Sequence, residues 1–244
     1  MALVLAVMVG AAAPPRSGYD DASPAVRAMQ DDDAANPAFL WVQQGEAAWT
    51  DAGVPSGRSC LSCHGPAASM RGVSARYPRF DPARSRPVTL AQQIELCRTE
   101  RQGAPAAPPE ADEPLALEAF LGSQSRGMPM NVDMSGPAAP AAAHGEALFH
   151  TPMGQLNLAC AQCHDGLAGQ RLAGATIPQG QPNGYPLYRL EWQSLGSLRR
   201  RIRNCLTGVR AEPFPPDSPD LVDLEFYLAS RARGLPVETP AVRP

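Results

Sequence analysis

Two short runs in the chain could attach a cofactor. Cys60-Leu61-Ser62-Cys63-His64 and Cys160-Ala161-Gln162-Cys163-His164 share one pattern, a pair of thiols spaced by two residues and followed at once by an imidazole. Thiols so spaced add to the vinyl groups of haem, and the adjoining histidine reaches the iron from the proximal side. A Cys-x-x-Cys pair alone would also suit a zinc knuckle or a redox disulfide. Zinc needs further His or Cys partners at short spacing, which are missing, and a thiol-disulfide oxidoreductase has no use for the histidine after each pair. Two full copies predict two covalently bound haem c groups. Cys60, Cys63, Cys160 and Cys163 would hold them, with His64 and His164 on the irons.

The second axial ligand follows by elimination among Met, His, Lys and thiolate. After His164 the chain contains no Met, His or Lys, which leaves Cys205. In the first half Met70 and Cys97 are available; Met70 follows His64 too closely to round the ring and reads as packing, whereas Cys97 aligns with Cys205. Both haems would then be His/thiolate, six-coordinate and of low reduction potential, which argues against gas binding and peroxide chemistry. The competing possibility is a disulfide between Cys97 and Cys205, the ordinary fate of spare thiols in an exported protein. Their equivalent placement favours each facing its own haem. His144 and His150 read as surface or packing residues.

A repeat positions these groups. Gly45-Glu46-Ala47-Ala48-Trp49 recurs as Gly145-Glu146-Ala147-Leu148-Phe149, and Leu90, Ile94 and Cys97 recur as Leu198, Ile202 and Cys205 on a helical stripe. A closing helix, Leu115 to Leu121, resembles Leu221 to Leu228. The expected fold is mainly α, two tandem class I cytochrome c-like domains related by duplication, with little β beyond extended pieces such as Tyr185 to Leu190. The domains are placed at 14–138, with haem 1, and 139–244, with haem 2. Pro- and Ala-rich Ser135 to Ala143 reads as the linker.

Composition sets limits. The 244 residues suit one or two domains, and aromatics at 6% leave a thin core that a large apolar cofactor would fill. A net charge of −3 argues against a nucleic-acid binder. Every basic residue is arginine, so no lysine can act as ligand, Schiff base or general base. Leu3 to Val9 is an apolar run followed by small residues, so 1–13 reads as the remnant of a signal peptide and implies export to the periplasm. It is too short for a membrane span.

The two modules differ beside the lone thiols. Arg199-Arg200-Arg201-Ile202-Arg203-Asn204-Cys205 stands where the first module has Ala91-Gln92-Gln93-Ile94-Glu95-Leu96-Cys97. Residues four apart share a helix face, so Arg201 lies beside Cys205 and its counterpart is neutral Gln93. A guanidinium there favours a thiolate and offers a fork to an oxyanion. Arg199, Arg200 and Arg203 read equally well as a solvated face.

At these residues the chain resembles the SoxA family, the dihaem cytochromes c of bacterial thiosulfate oxidation. The likeness rests on Arg189-Leu190-Glu191-Trp192-Gln193 through Arg210-Ala211-Glu212-Pro213, Asn157 to Asp165, and Glu238 to Pro244, and extends from about Asn36. Some members lack the first haem; Cys60, Cys63 and His64 make this sequence look like the dihaem type. The resemblance implies an L-cysteine S-thiosulfotransferase that pairs with a SoxX haem c subunit. It joins thiosulfate to a cysteine of the carrier SoxYZ, and electrons pass to a soluble cytochrome c. It also implies that Cys205 is the catalytic sulfur, carried as a persulfide, and that Arg201 binds substrate. A dihaem electron carrier, with arginines that only dock a redox partner, is the alternative.

Overall fold

The structure is a computed structural model that describes residues 14–244; the expected signal remnant at 1–13 lies outside the described residues. Nine α-helices are present among them: α1 (Pro24–Asp31), α2 (Phe39–Thr50), α3 (Cys60–His64), α4 (Leu90–Glu100), α5 (Asp112–Ser123), α6 (Ala139–His150), α7 (Cys160–His164), α8 (Leu198–Gly208) and α9 (Pro219–Arg231). The duplication is visible in their packing, since α2 crosses α5 as α6 crosses α9. Each crossing is built on the glycine of the repeated Gly-Glu-Ala motif. A Cβ on Gly45 would lie 2.1 Å from the main-chain oxygen of Ala116, and one on Gly145 would lie 2.0 Å from that of Asp223. Only a residue without a side chain lets the backbones approach so closely.

The aromatic four residues later is buried in both modules. Trp49 meets Phe120 with ring centroids 6.1 Å apart, and Phe149 meets Tyr227 at 5.5 Å, both tilted by 54°. Leu90, Ile94, Leu117 and Leu121 complete the first core, and Ile202, Leu206, Leu224 and Leu228 the second. Helices α4 and α8 start on matching caps: the Thr89 hydroxyl accepts from the Gln92 amide and the Ser197 hydroxyl from the Arg200 amide.

Short strands precede each lone-thiol helix. β1 (Arg79–Asp81) and β2 (Arg86–Val88) form a hairpin, a two-residue pair β3 (Arg171–Leu172) and β4 (Ala175–Thr176) follows, and β5 (Leu187–Arg189) pairs with β6 (Ser194–Gly196). The two larger hairpins share one register, Asp81 opposite Arg86 and Arg189 opposite Ser194. β7 (Ala241–Arg243) adds parallel to β5. Strands of three residues are too short to display alternation, so only the Tyr185 to Leu190 piece was legible.

The mainly helical, duplicated architecture is the one expected, with one local correction. Ala139 to Ala143 is not linker but the opening of α6, because Pro140 occupies its first turn and the alanines that follow favour helix. The segment before α2 also reaches further than expected. Asn36 Nδ2 donates to the Pro240 oxygen at 2.9 Å, the Val242 amide donates to Gln30 at 3.1 Å, and Ser17 bonds Glu238. The start of the described chain thus clasps its C-terminal tail.

A polar network joins the modules where α4 and α5 meet α8 and α9. Arg199 donates from Nε to Glu225 at 3.0 Å and from Nη2 to the Thr89 hydroxyl at 2.9 Å, and also pairs with Asp217. The Ser197 amide donates to Glu110 at 3.1 Å. Glu118, the pseudo-symmetric counterpart of Glu225, lines a cavity of about 90 Å³ between the modules. Burial, with Glu225 adding repulsion, pushes its carboxyl up to about 8 from 4.5. Because the folded value is raised, the contribution is fully present below pH 4.5 and is lost as pH rises towards 8. Glu118→Gln should therefore flatten the decline in stability between pH 5 and 8, gaining about 2 kcal/mol at pH 8 once partial solvent access is allowed for. Urea unfolding at both pH values measures this, and parallel curves for the two proteins would refute it.

Candidate functional site

The cofactor motifs fold as single turns, α3 and α7, whose geometry turns both thiols of each motif to one face. The first is capped by Ser59, which accepts from the Ser62 amide at 3.1 Å; in the second the Gln162 side chain accepts from the Ala159 amide at 2.7 Å. All six cysteines are free, so Cys97 and Cys205 are not joined. Burial raises the Cys60 thiol with Cys97 as its next influence, and burial pushes Cys160 up to about 11 with Cys205 in the same place.

His164 is oriented for metal binding. Its Nδ1 donates to the Pro178 carbonyl at 2.7 Å, which leaves Nε2 as the free nitrogen. Gly180, at φ +74°, passes so close that a Cβ there would sit 3.1 Å from Nδ1. Burial holds the imidazole below its ordinary range despite the carbonyl, and Arg201 and Arg231 add to the effect. A neutral imidazole with a fixed tautomer, two thiols on one turn and a thiol on the facing helix fit a covalently attached haem. His64 is exposed, its ring lies 5.8 Å from that of Trp49, and among the described residues its ring nitrogens make no hydrogen bond.

The arginine run separates by partner. Arg199 is built into the network between the modules, Arg200 donates to the Ser194 hydroxyl at 3.0 Å and stacks 4.2 Å over Trp192, and Arg203 is exposed. Arg201 is half-buried, and among the described residues no carboxylate or carbonyl pairs with it. Its counterpart shows what the position addresses, for Gln93 Nε2 donates to Cys97 Sγ at 3.5 Å. A neutral amide satisfies the first lone thiol. The second has an uncompensated guanidinium on the same face.

Two further residues at this site carried no assignment in the sequence. Tyr185, pushed up to about 12 by burial, feels the charges of Arg201 and Cys205, as Tyr77 feels that of Cys97. Arg189 on β5 feels Arg201 and Cys205 as well, after its own burial. The aligned modules could have revealed both, because Tyr185 matches Tyr77 and Arg189 matches Asp81. Met70 packs on the first core, His144 Nδ1 lies 2.9 Å from Asp223, and His150 stands edge-on to Phe149 at 5.3 Å.

The SoxA/TsdA cytochrome c domain family matches residues 44–130 and again 144–237. An L-cysteine S-thiosulfotransferase subunit SoxA from Pseudaminobacter salicylatoxidans is 40% identical over 219 residues, 89% of this chain and 77% of that protein. The chain belongs to the SoxA family. SoxA subunits from Rhodovulum sulfidophilum and Paracoccus pantotrophus are each 37% identical, over 93% of this chain and 80% and 78% of those proteins. The crystal structure of SoxXA from P. pantotrophus superposes with a TM-score of 0.91 at 36% identity, covering 94% of this chain and 87% of that one. As a SoxA cytochrome c domain protein the chain binds haem c. Among the described residues no helix is long and apolar enough to cross a membrane.

Proposed function

We propose that this chain is the SoxA subunit of an L-cysteine S-thiosulfotransferase and that its chemistry takes place at Cys205. The observation that carries the site is the half-buried, unpaired Arg201 one turn from Cys205 on α8, where the first module has Gln93. Two haem c groups would be held by this chain, one by Cys60, Cys63, His64 and Cys97, the other by Cys160, Cys163, His164 and Cys205. A haem held by Cys160, Cys163, His164 and Cys205 would supply an electron-accepting iron centre beside the reacting sulfur.

The residues divide the remaining work. Arg201 grips the sulfonate end of thiosulfate with its fork and directs the outer sulfur towards Cys205. Tyr185, pushed up to about 12 by burial, stays protonated while Arg201 and Cys205 act on it through their charges. The partner substrate is a cysteine of a SoxYZ-like carrier. Its S–H bond breaks, an S–S bond forms to the outer sulfur of thiosulfate, and one proton and two electrons leave. The product is a cysteine S-thiosulfonate. A SoxX-like haem c subunit and a soluble cytochrome c would be the partners that take up these two electrons, in the periplasm.

Arg201→Ala tests the assignment. Loss of a charge-assisted fork should raise the KM for thiosulfate by about a hundred-fold with the haem absorption spectrum intact. Unchanged coupling kinetics would remove Arg201 from the substrate site.

A further inference from the structure

The two modules anchor the end of the haem-attachment turn in different ways. In the first, Trp49 on α2 donates from Nε1 to the carbonyl of Gly65, the residue after His64, at 3.3 Å. Phe149 stands in the place of Trp49 and has no donor. The anchor comes from α9 instead: Arg231 Nη2 donates to a carboxylate oxygen of Asp165, the residue after His164, at 2.5 Å. The helix crossings fix the correspondence. Gly45 faces Ala116 and Phe120 where Gly145 faces Asp223 and Tyr227, so Arg231 occupies the position of Gln124. Gln124 stays on its own helix, donating to the Ser123 hydroxyl at 3.2 Å.

Arg231 reaches a second segment as well. The same Nη2 lies 3.4 Å from the main-chain oxygen of Gln179, which follows the Pro178 whose carbonyl accepts from His164 Nδ1 at 2.7 Å. One guanidinium nitrogen thus spans the residue after the imidazole and the residue after its acceptor. The guanidinium is seated 4.2 Å over the buried Phe149 ring, in the last turn of α9, where the helix dipole favours a cation. From the other side the N-terminal segment holds Gln179. The Arg16 amide donates to its Oε1 at 2.7 Å, and its Nε2 donates to the Pro14 oxygen at 3.2 Å. Asp165 is 44% exposed, so the ion pair adds little stability by itself. What it fixes is position.

We infer that Arg231 is a positioning residue of the second haem site, a clamp that keeps the Pro178 carbonyl on His164 Nδ1 and so sets how strongly that imidazole can donate to iron. This deepens the sulfurtransferase reading, because His164 is the histidine proposed for the reacting haem, and it rests on that reading. A hydrogen bond at Nδ1 fixes the ring and raises its basicity as a ligand, which favours the ferric state. Loosening the clamp therefore raises the reduction potential. Removing the cation alone acts in the opposite direction, since a nearby positive charge favours the reduced centre. The two effects can be separated by substitutions that keep the local charge. Arg231 acts through His164 and has no part in bond-making.

The test uses the haem-loaded complex with its haem c partner, and compares wild type with Arg231→Lys, with the double variant Arg231→Gln/Asp165→Asn and, as a first-module control, with Gln124→Ala. Lysine keeps the cation but lacks a fork to span both segments. The double variant removes one cation and one anion together, so net charge is unchanged. Potentiometric titration and electron paramagnetic resonance of the ferric state read each haem. Both clamp variants should shift the ferric–ferrous equilibrium of the second haem by about ten-fold, a rise in potential of about 59 mV. Its ferric signal should broaden as the imidazole takes up several orientations, while the first haem keeps its potential and signal. Gln124→Ala should match wild type at both haems. A purely electrostatic role would leave both clamp variants at the wild-type potential, and a packing role would lower the melting temperature with the second haem unmoved. Either result overturns the clamp, and Arg231→Lys alone decides if the double variant fails to fold. An unmoved potential while Cys205→Met still loses coupling removes the clamp and spares the sulfurtransferase reading. Wild-type haem content in Cys160→Ser/Cys163→Ser would remove the second haem, and this inference with it.

Discussion

Replacing Cys205 with methionine is expected to abolish thiosulfate coupling while leaving haem attached through Cys160 and Cys163. Methionine still offers sulfur to iron but cannot carry a thiolate or an additional sulfur, so the group on which the proposed chemistry turns is gone. The loss should reach about a thousand-fold or more, the scale on which removal of an essential nucleophile acts. The same substitution separates the sulfurtransferase from an electron carrier. A thioether in place of a thiolate raises the reduction potential without closing the electron path, so a carrier would keep passing electrons from a small reductant at a shifted potential. Coupling measured against a carrier thiol, beside electron flow from that reductant, gives both readings on one preparation. Retained coupling in Cys205→Met would end the assignment. Cys97→Met, at the matching position of the first module, should leave coupling in place.

The second large effect concerns the scaffold. Gly145→Ala introduces a methyl group 2.0 Å from the Asp223 oxygen and 2.8 Å from the Tyr227 Cβ, and both are parts of α9 that cannot swing aside. The α6–α9 crossing must open, and Phe149, 1% exposed beneath it, loses its packing against Tyr227. Overpacking of this kind, against backbone on both sides, costs about 3 kcal/mol. For a chain of this size that lowers the melting temperature by roughly 10 °C. Gly45→Ala meets Ala116 in the same way and should cost a similar amount. Thermal unfolding of the haem-loaded variants measures both, and a shift of a degree or two would show that the helices slide freely past one another.

How much of this was legible in the sequence depends on whether a feature rests on local spacing or on contacts between distant segments. The thiol–imidazole runs, the lone thiols and the face shared by Arg201 and Cys205 depend on residues within a helical turn or two, and the repeat exposed them. Apart from the extended piece at Tyr185 to Leu190, the hairpins were hidden because three residues cannot show a period. The role of Arg199 was hidden for another reason: its partners Thr89, Asp217 and Glu225 come from three separate stretches, so nothing near it in the chain sets it apart from Arg201. The extent of α6 was misjudged because alanine and proline suit a linker as well as a helix start.

The cap and first turn of α8, the helix that carries Cys205, are held by residues of the first module: Glu110 accepts from the Ser197 amide, and Thr89 accepts from Arg199. None of these contacts involves Cys60, Cys63 or His64. The proposed first haem and this brace are therefore two inheritances of the first module that natural selection can treat separately. A descendant that lost Cys60 and Cys63 would shed a redox centre and keep α8 seated. One that lost Glu110 or Thr89 would keep the redox centre and loosen the helix beneath Cys205. Drift along this lineage should erode the first haem's attachment sooner than the shell around it.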